Sequence, residues 1–139
     1  PEAMNVLSIL ESDFVDICYA IVNGNLNDVP VKFSTKATVC KYAVPKGYPD
    51  NPVKGQEIDV SKISNHNGLY YASVNIQKEK LVESGSRTIA YVGIADSIFD
   101  AETIAENEII SIEGPLFHRK DIGKKELIQK RIDHMKSLR

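Results

Sequence analysis

Thr88-Ile89-Ala90-Tyr91-Val92-Gly93-Ile94, followed after two residues by Ser97-Ile98-Phe99-Asp100, is the run that decides the fold class. Its first part is rich in β-branched and aromatic residues and reads as a strand. Its second part has the S-x-x-D form of a capping box, in which the Ser oxygen and the Asp carboxylate satisfy reciprocal backbone donors at a helix start. Ala101, Ile104, Ala105, Ile109 and Ile112 then give the helix an apolar stripe, and Gly114-Pro115 ends it. Upstream, Lys36–Val44 reads as a strand that stops at Pro45, and Gln56–Val60 as a short one. Asn65-His66-Asn67-Gly68 is a turn, and Leu69–Ile76 with Lys80–Glu83 form a hairpin closed through Gln77, Lys78 and Glu79. Downstream, a second helix starts near Lys124 with Leu127, Ile128, Ile132, Met135 and Leu138 inward and Lys and Arg outward. Strands in sequence followed by two helices predict an α+β fold.

Nearer the front, residues 12–24 read as a helix. Ser12 caps it, Phe14, Val15, Ile17, Cys18, Ile21 and Val22 share one side, and Gly24 supplies the left-handed stop. Asn23-Gly24-Asn25-Leu26-Asn27-Asp28 is turn chemistry, which places a domain boundary near residues 24–35. Lys46-Gly47-Tyr48-Pro49-Asp50-Asn51-Pro52 is a stiff loop.

The 139 residues carry 17 basic and 19 acidic side chains, with 42% apolar and 26% charged residues. That balance fits an ordinary domain able to build a core without metal or disulfide staples, and excludes disordered and collagen-like chains. No apolar run approaches the roughly 18 residues of a membrane span, and no basic-then-apolar leader opens the chain, so neither a membrane nor an exported location is expected. Cys18 and Cys40 have no metal-ligand spacing and read as reduced core thiols, which points to the cytoplasm. The chain opens Pro1-Glu2-Ala3 without an initiator Met, which suggests processing or a piece of a longer protein. Charge is uneven: residues 1–60 hold 5 basic and 8 acidic groups, 61–115 hold 4 and 8, and 116–139 hold 8 and 3. A basic tail is most simply a solvated helix face, with nucleic-acid or membrane binding as the alternative.

No phosphate-loop, dinucleotide, zinc-protease or serine-nucleophile motif is present. His66, His118 and His134 lie on different elements and read as surface or turn residues. Two segments stand out. Ser84-Gly85-Ser86-Arg87 offers small residues that let backbone N–H groups approach an anion, beside a guanidinium suited to phosphate; its plainer reading is a hairpin connection. Phe117-His118-Arg119-Lys120-Asp121 places three potential cations before an Asp that could cap the terminal helix; its plainer reading is a solvated basic lead-in.

Five strings in order resemble the phosphoribosylamine–glycine ligase (glycinamide ribonucleotide synthetase) family of ATP-grasp enzymes, over essentially the whole chain. Pro1-Glu2 resembles the end of that family's Gly-Asp-Pro-Glu, and Ser12-Asp13-Phe14-Val15-Asp16-Ile17-Cys18 its following helix. Gly47-Tyr48-Pro49 with Lys54-Gly55, Ser84-Gly85-Ser86-Arg87, and Phe117-His118-Arg119-Lys120-Asp121-Ile122-Gly123 are similar to Gly-Tyr-Pro…Lys-Gly, Asn-Gly-Gly-Arg and aromatic-x-Arg-x-Asp-Ile-Gly. Ser86 departs from the second glycine and Thr88 from a common valine. A related purine-pathway enzyme, the formate-dependent glycinamide ribonucleotide transformylase, carries Gly-Ser-Arg there, and its Arg grips a ribose phosphate.

The resemblance implies that residues 1–30 end an ATP-grasp domain, with a helix at about 12–23 and a linker. Residues 31–139 would be a C-terminal substrate-closing domain, a small antiparallel sheet similar to a rudimentary single-hybrid motif with two packing helices. The whole enzyme would join 5-phosphoribosylamine to glycine with ATP hydrolysis to ADP and phosphate, giving glycinamide ribonucleotide in purine biosynthesis. Arg87 would hold the 5-phosphate, Gly85 and Ser86 would shape its turn, and Glu2 would border the glycine site. ATP and Mg²⁺ or Mn²⁺ would be held upstream of Pro1, so that this piece alone is inactive and binds neither. Its partners would be the N-terminal and ATP-grasp portions of the same enzyme and the two small substrates, with no nucleic acid and no membrane. The rival is a non-catalytic nucleic-acid-binding module using the basic C-terminal helix.

Overall fold

A single strand, β1 (Ala37–Pro45), organises the molecule, whose computed structural model describes residues 2–138. It lies between β5 (Ile89–Ala95) and β6 (Leu116–His118), with β2 (Leu69–Tyr71) beyond β5, in an antiparallel sheet of order β2-β5-β1-β6. The register pairs Ala37 with Ala95 and Ala43 with Ile89 on one side, and Ala43 with His118 and Pro45 with Leu116 on the other. A separate hairpin, β3 (Val74–Gln77) and β4 (Lys80–Glu83), turns through Lys78 and Glu79, both at positive φ. Two such residues in succession give a tight loop whose twist matches antiparallel strands.

Alternation along β1 sends Val39, Lys41 and Ala43 to one face and Cys40, Tyr42 and Val44 to the other. The first face packs on α3 (Ile98–Ile109): Val39, Ala43 and Tyr91 meet Ala101, Ala105 and Ile109 in the main core. Gly93 permits this approach, because a Cβ there would lie 2.0 Å from the Ala101 carbonyl oxygen. The second face is covered only in part, by Met4 of α1 (Glu2–Leu7) and by Tyr70 against Cys40, Ala90 and Val92.

A buried cation ties the first face together. The Lys41 side chain is fully enclosed, and its ammonium donates to Glu102 (2.6 Å) and Glu106 (2.5 Å) on α3 and to the Lys120 carbonyl (3.3 Å). Lys124 donates to the other Glu102 oxygen at 2.8 Å, and His118 Nε2 lies 3.2 Å from Glu106. Burial by itself would raise Glu102; the hydrogen bonds from Lys124 and Lys41 outweigh it and hold the carboxyl below its ordinary value. Glu106 behaves alike, burial being overcome by Lys41 and His118.

The Ser97 cap of α3, the Gly24 stop (φ 71°) and the α+β class match the sequence reading, but the Asp100 carboxylate accepts from the Ser97 hydroxyl and not from a backbone N–H, and α3 ends at Ile109, short of Ile112 and Gly114-Pro115. Elsewhere the structure corrects it. Asp13, not Ser12, caps α2 (Phe14–Asn23), its Oδ1 accepting from the Val15 and Asp16 N–H groups, while Ser12 joins Pro30 and Lys32. Leu69–Ile76 is not one strand, since Ala72-Ser73 breaks it and β2 and β3 enter different sheets. Gln56–Val60 makes only the bridges Glu57–Val82 and Asp59–Glu113. The expected lead-in at Phe117-His118 is a strand, β6. Asp121 does not cap α4 (Lys125–Ser137) with its side chain; Arg119 holds it. On α4 itself Leu127 and Ile128 are half-buried, whereas Ile132, Met135 and Leu138 are exposed. Cys18 is exposed, because α2 buries only Ile17 and Ala20. No helix among the described residues is long and apolar enough to cross a membrane.

Gly93→Ala should cost about 2 kcal/mol, since α3 must shift to admit the methyl group; urea denaturation reads it, and unchanged stability would show the helix free to move. Lys41→Met should cost about 3 kcal/mol at neutral pH, the order expected for removing one partner of a buried ion pair. Glu102 and Glu106 are depressed when folded, so their contribution is complete above the ordinary carboxylate value of 4.5 and is lost as pH falls through the folded values. The stability gap between wild type and Lys41→Met should therefore narrow on acidification below about pH 4.5; a gap constant from neutrality to about pH 3 would contradict it.

Candidate functional site

Arg87 sits at the end of a bend that the surrounding backbone holds rigidly. The Ser73 N–H donates to the Arg87 carbonyl (3.0 Å), the Thr88 N–H to the Ala43 carbonyl (3.1 Å), and the Thr88 hydroxyl to the Ser86 carbonyl (3.1 Å). Glu83, buried just before the bend, accepts from the Gly85 N–H and from the Gln56 N–H, each at 3.0 Å. Gly85 lies at φ 89°, and a Cβ there would stand 2.6 Å from Cε of Lys54, whose stem crosses the bend. A side chain would be strained by backbone and by space at once. The Gly85 N–H is taken by Glu83, so it is a fastening of the bend and not a donor turned to the cleft.

The Arg87 guanidinium lies over the Tyr42 ring, 5.7 Å from its centroid, and forms no hydrogen bond or ion pair to another side chain among the described residues. It lines a cleft of about 400 Å³ on the partly covered face of the sheet, with Tyr42 and Val44 as floor, Tyr48 and Pro49 on one side, and Phe117 and Arg119 on another. Arg119 Nε donates to Asp121 Oδ1 at 3.0 Å, and Nη2 donates to Oδ2. Cys40 reaches the same cleft, but burial pushes its thiol up to about 11, which leaves it protonated and unreactive at neutral pH.

The candidates are thus divided. Arg87 reaches the cleft; Gly85 and Ser86 stand behind it in the bend and are not part of its lining. Glu2 borders a neighbouring groove with Thr38, Ile98 and Gly123, which meets the Arg87 cleft at Cys40 and Ile122. Its carboxyl is held below its ordinary value chiefly by hydrogen bonding to its own backbone N–H, with a further contribution from the Arg87 charge. Tyr42, Tyr48 and Arg119 acquire a place that sequence reading did not assign them. Tyr42 has no local signature; Tyr48 and Arg119, 71 residues apart, lie within recognised strings that only the fold brings together. Among the described residues no group of three or more His, Cys, Asp or Glu side chains is placed to hold a metal ion.

Three of the five strings singled out in the sequence therefore meet in one cleft. The family model for "Phosphoribosylglycinamide synthetase, C domain" matches residues 38–125, which contain all of its lining. The phosphoribosylamine–glycine ligase of Methanosarcina barkeri is 58% identical over 139 residues, covering all of this chain and 32% of the relative. That of Methanocaldococcus jannaschii is 56% identical over 142 residues, again covering 32% of its length. The chain thus spans about a third of the length of these relatives. The solved phosphoribosylamine–glycine ligase of Thermotoga maritima superposes with a TM-score of 0.73 over 88% of this chain and 30% of that one, a likeness of fold at 24% identity. Since the model accounts for more than half of its residues, the chain belongs to the phosphoribosylglycinamide synthetase C-domain family.

Proposed function

We propose that this chain is the substrate-closing C-terminal part of a cytoplasmic, ATP-dependent phosphoribosylamine–glycine ligase, and that Arg87 grips the 5-phosphate of phosphoribosylamine. The observation that carries the reading is the guanidinium itself: exposed, stacked on Tyr42, in ion-pair contact with no carboxylate among the described residues, and set in a cleft with apolar walls. A cation in such a place is a strong phosphate ligand, because the planar fork matches two phosphate oxygens and the stacking on Tyr42 orients it. Gly85 and Ser86 serve by shaping the bend, and Glu2 by bordering the glycine side.

In the whole ligase the glycine carboxylate must first be turned into a phosphate leaving group, since a carboxylate is a poor electrophile; the amine of phosphoribosylamine then attacks it. The role of this chain is to hold the sugar phosphate so that the amine is presented. The paired Glu102 and Glu106 are a poor fit to a metal, because Lys41, Lys124 and His118 already satisfy them. We assign ATP and Mg²⁺ or Mn²⁺ to the rest of the ligase, beyond these residues.

Residues 1–30 are proposed to close the ATP-grasp module and 31–139 to form the closing domain. In support, α2 leaves Phe14, Val15, Tyr19, Ile21 and Val22 exposed, Val22 to 83%. An apolar patch of that extent marks a contact surface, and the portion of the ligase that these residues continue is its natural cover. The nucleic-acid reading has less support, because α4 exposes the apolar Ile132, Met135 and Leu138 among its basic Lys130, Arg131 and Lys136 and so presents a mixed surface.

Arg87→Ala in the full-length ligase should raise KM for phosphoribosylamine about ten- to a hundred-fold, the effect of losing a charge-assisted hydrogen bond, while KM for glycine and ATP changes little. Equal effects on all three substrates would refute the assignment. Calorimetry on the isolated 139-residue chain should detect no stoichiometric micromolar MgATP site; finding one would place the nucleotide here.

A further inference from the structure

Resting on the reading of Arg87 as a phosphate ligand, we propose that Arg119 is a second guanidinium for the same phosphate and that Asp121 occupies its place until the ligand arrives. Arg119 lines the Arg87 cleft. Its Nε and Nη2 engage both oxygens of Asp121, the two-point geometry that a guanidinium also offers to phosphate. Both side chains are exposed, at 66% and 50%. An exposed ion pair between residues two apart adds little stability, so exchanging Asp121 for a doubly charged phosphate in a cleft that already holds Arg87 is favourable.

The mount of Arg119 is stiff on both sides. Before it, His118 pairs with Ala43 in the sheet and reaches Glu106; after it, the Lys120 carbonyl accepts from the buried Lys41 ammonium. The guanidinium thus stands on a fixed stem and needs only a side-chain rotation, not a loop movement, to pass from carboxylate to phosphate.

The test uses the full-length ligase and ribose 5-phosphate as a stable competitor of phosphoribosylamine, with ribose as the phosphate-free control. Arg119→Met should weaken inhibition by ribose 5-phosphate about tenfold, leave ribose and the KM for glycine unaltered, and combine with Arg87→Ala to less than the product of the two effects. Asp121→Asn, by freeing the fork, should tighten ribose 5-phosphate about threefold. If Arg87→Ala weakens the competitor and Arg119→Met does not, the second anchor is wrong while the Arg87 reading stands. If neither weakens it, the Arg87 reading falls as well. Unchanged or weaker binding in Asp121→Asn overturns the exchange, and equal weakening of ribose and ribose 5-phosphate by Arg119→Met overturns phosphate recognition.

Discussion

An ammonium group sealed between a sheet and a helix sets the geometry on which the rest depends. Lys41 cannot be enclosed without full compensation, because an isolated buried charge is far more costly than any single packing contact. It is compensated by Glu102 and Glu106, one turn apart on α3, and by the Lys120 carbonyl on the segment that follows β6. The same three contacts therefore fix the rotation of α3 and the path of residues 118–124. An apolar side chain would pack against α3 but would not specify either with comparable precision. The second ring of partners, Lys124 on Glu102 and His118 on Glu106, leaves no carboxylate oxygen pair without a donor.

The strand that holds this cation on one face builds the cleft on the other. Residues 40, 42 and 44 point away from α3 because residues 39, 41 and 43 point toward it, and a slip of one residue would exchange the two sets. The face bearing Tyr42 is covered only in part, by Met4 of the short α1, whereas α3 packs along the face behind it. It is bounded instead by the Tyr48-Pro49 loop, the Arg87 bend and the β6 segment. Each boundary is anchored independently: the loop by Val53 N–H to the Lys46 carbonyl, the bend by Glu83, and the β6 segment by Lys41. A phosphate-binding site gains from such rigidity, because little conformational entropy is lost when the ligand binds.

Belonging to the family and gripping the sugar phosphate stand on different grounds. The first rests on the match over residues 38–125 and on relatives three times as long. The second is a proposal from geometry, favoured because Arg87 lines the cleft and is in ion-pair contact with no carboxylate among the described residues. The unclothed apolar side of α2 fits the same picture, since a helix of that composition is stable only with a neighbour over it.

Local chemistry was legible from residues alone. The Ser97 cap, the Gly24 stop, the β-branched run at 88–94 and the Pro45 boundary are short-range effects of side chain on backbone, and they suffice for an α+β class and for the singling out of the Ser84–Arg87 bend and the Phe117–Asp121 segment. Burial was not legible, because an apolar stripe on a helix states a capacity for contact without naming the surface that will meet it; hence Cys18, Ile132 and Met135 were expected inward and lie outside. Nor could spacing reveal that Lys41, read as an ordinary strand residue, is a fully buried charge, or that Tyr42, Tyr48, Arg87 and Arg119 share one cleft. Those facts depend on strand order and pairing register, which are decided by the joint packing of segments distant along the chain.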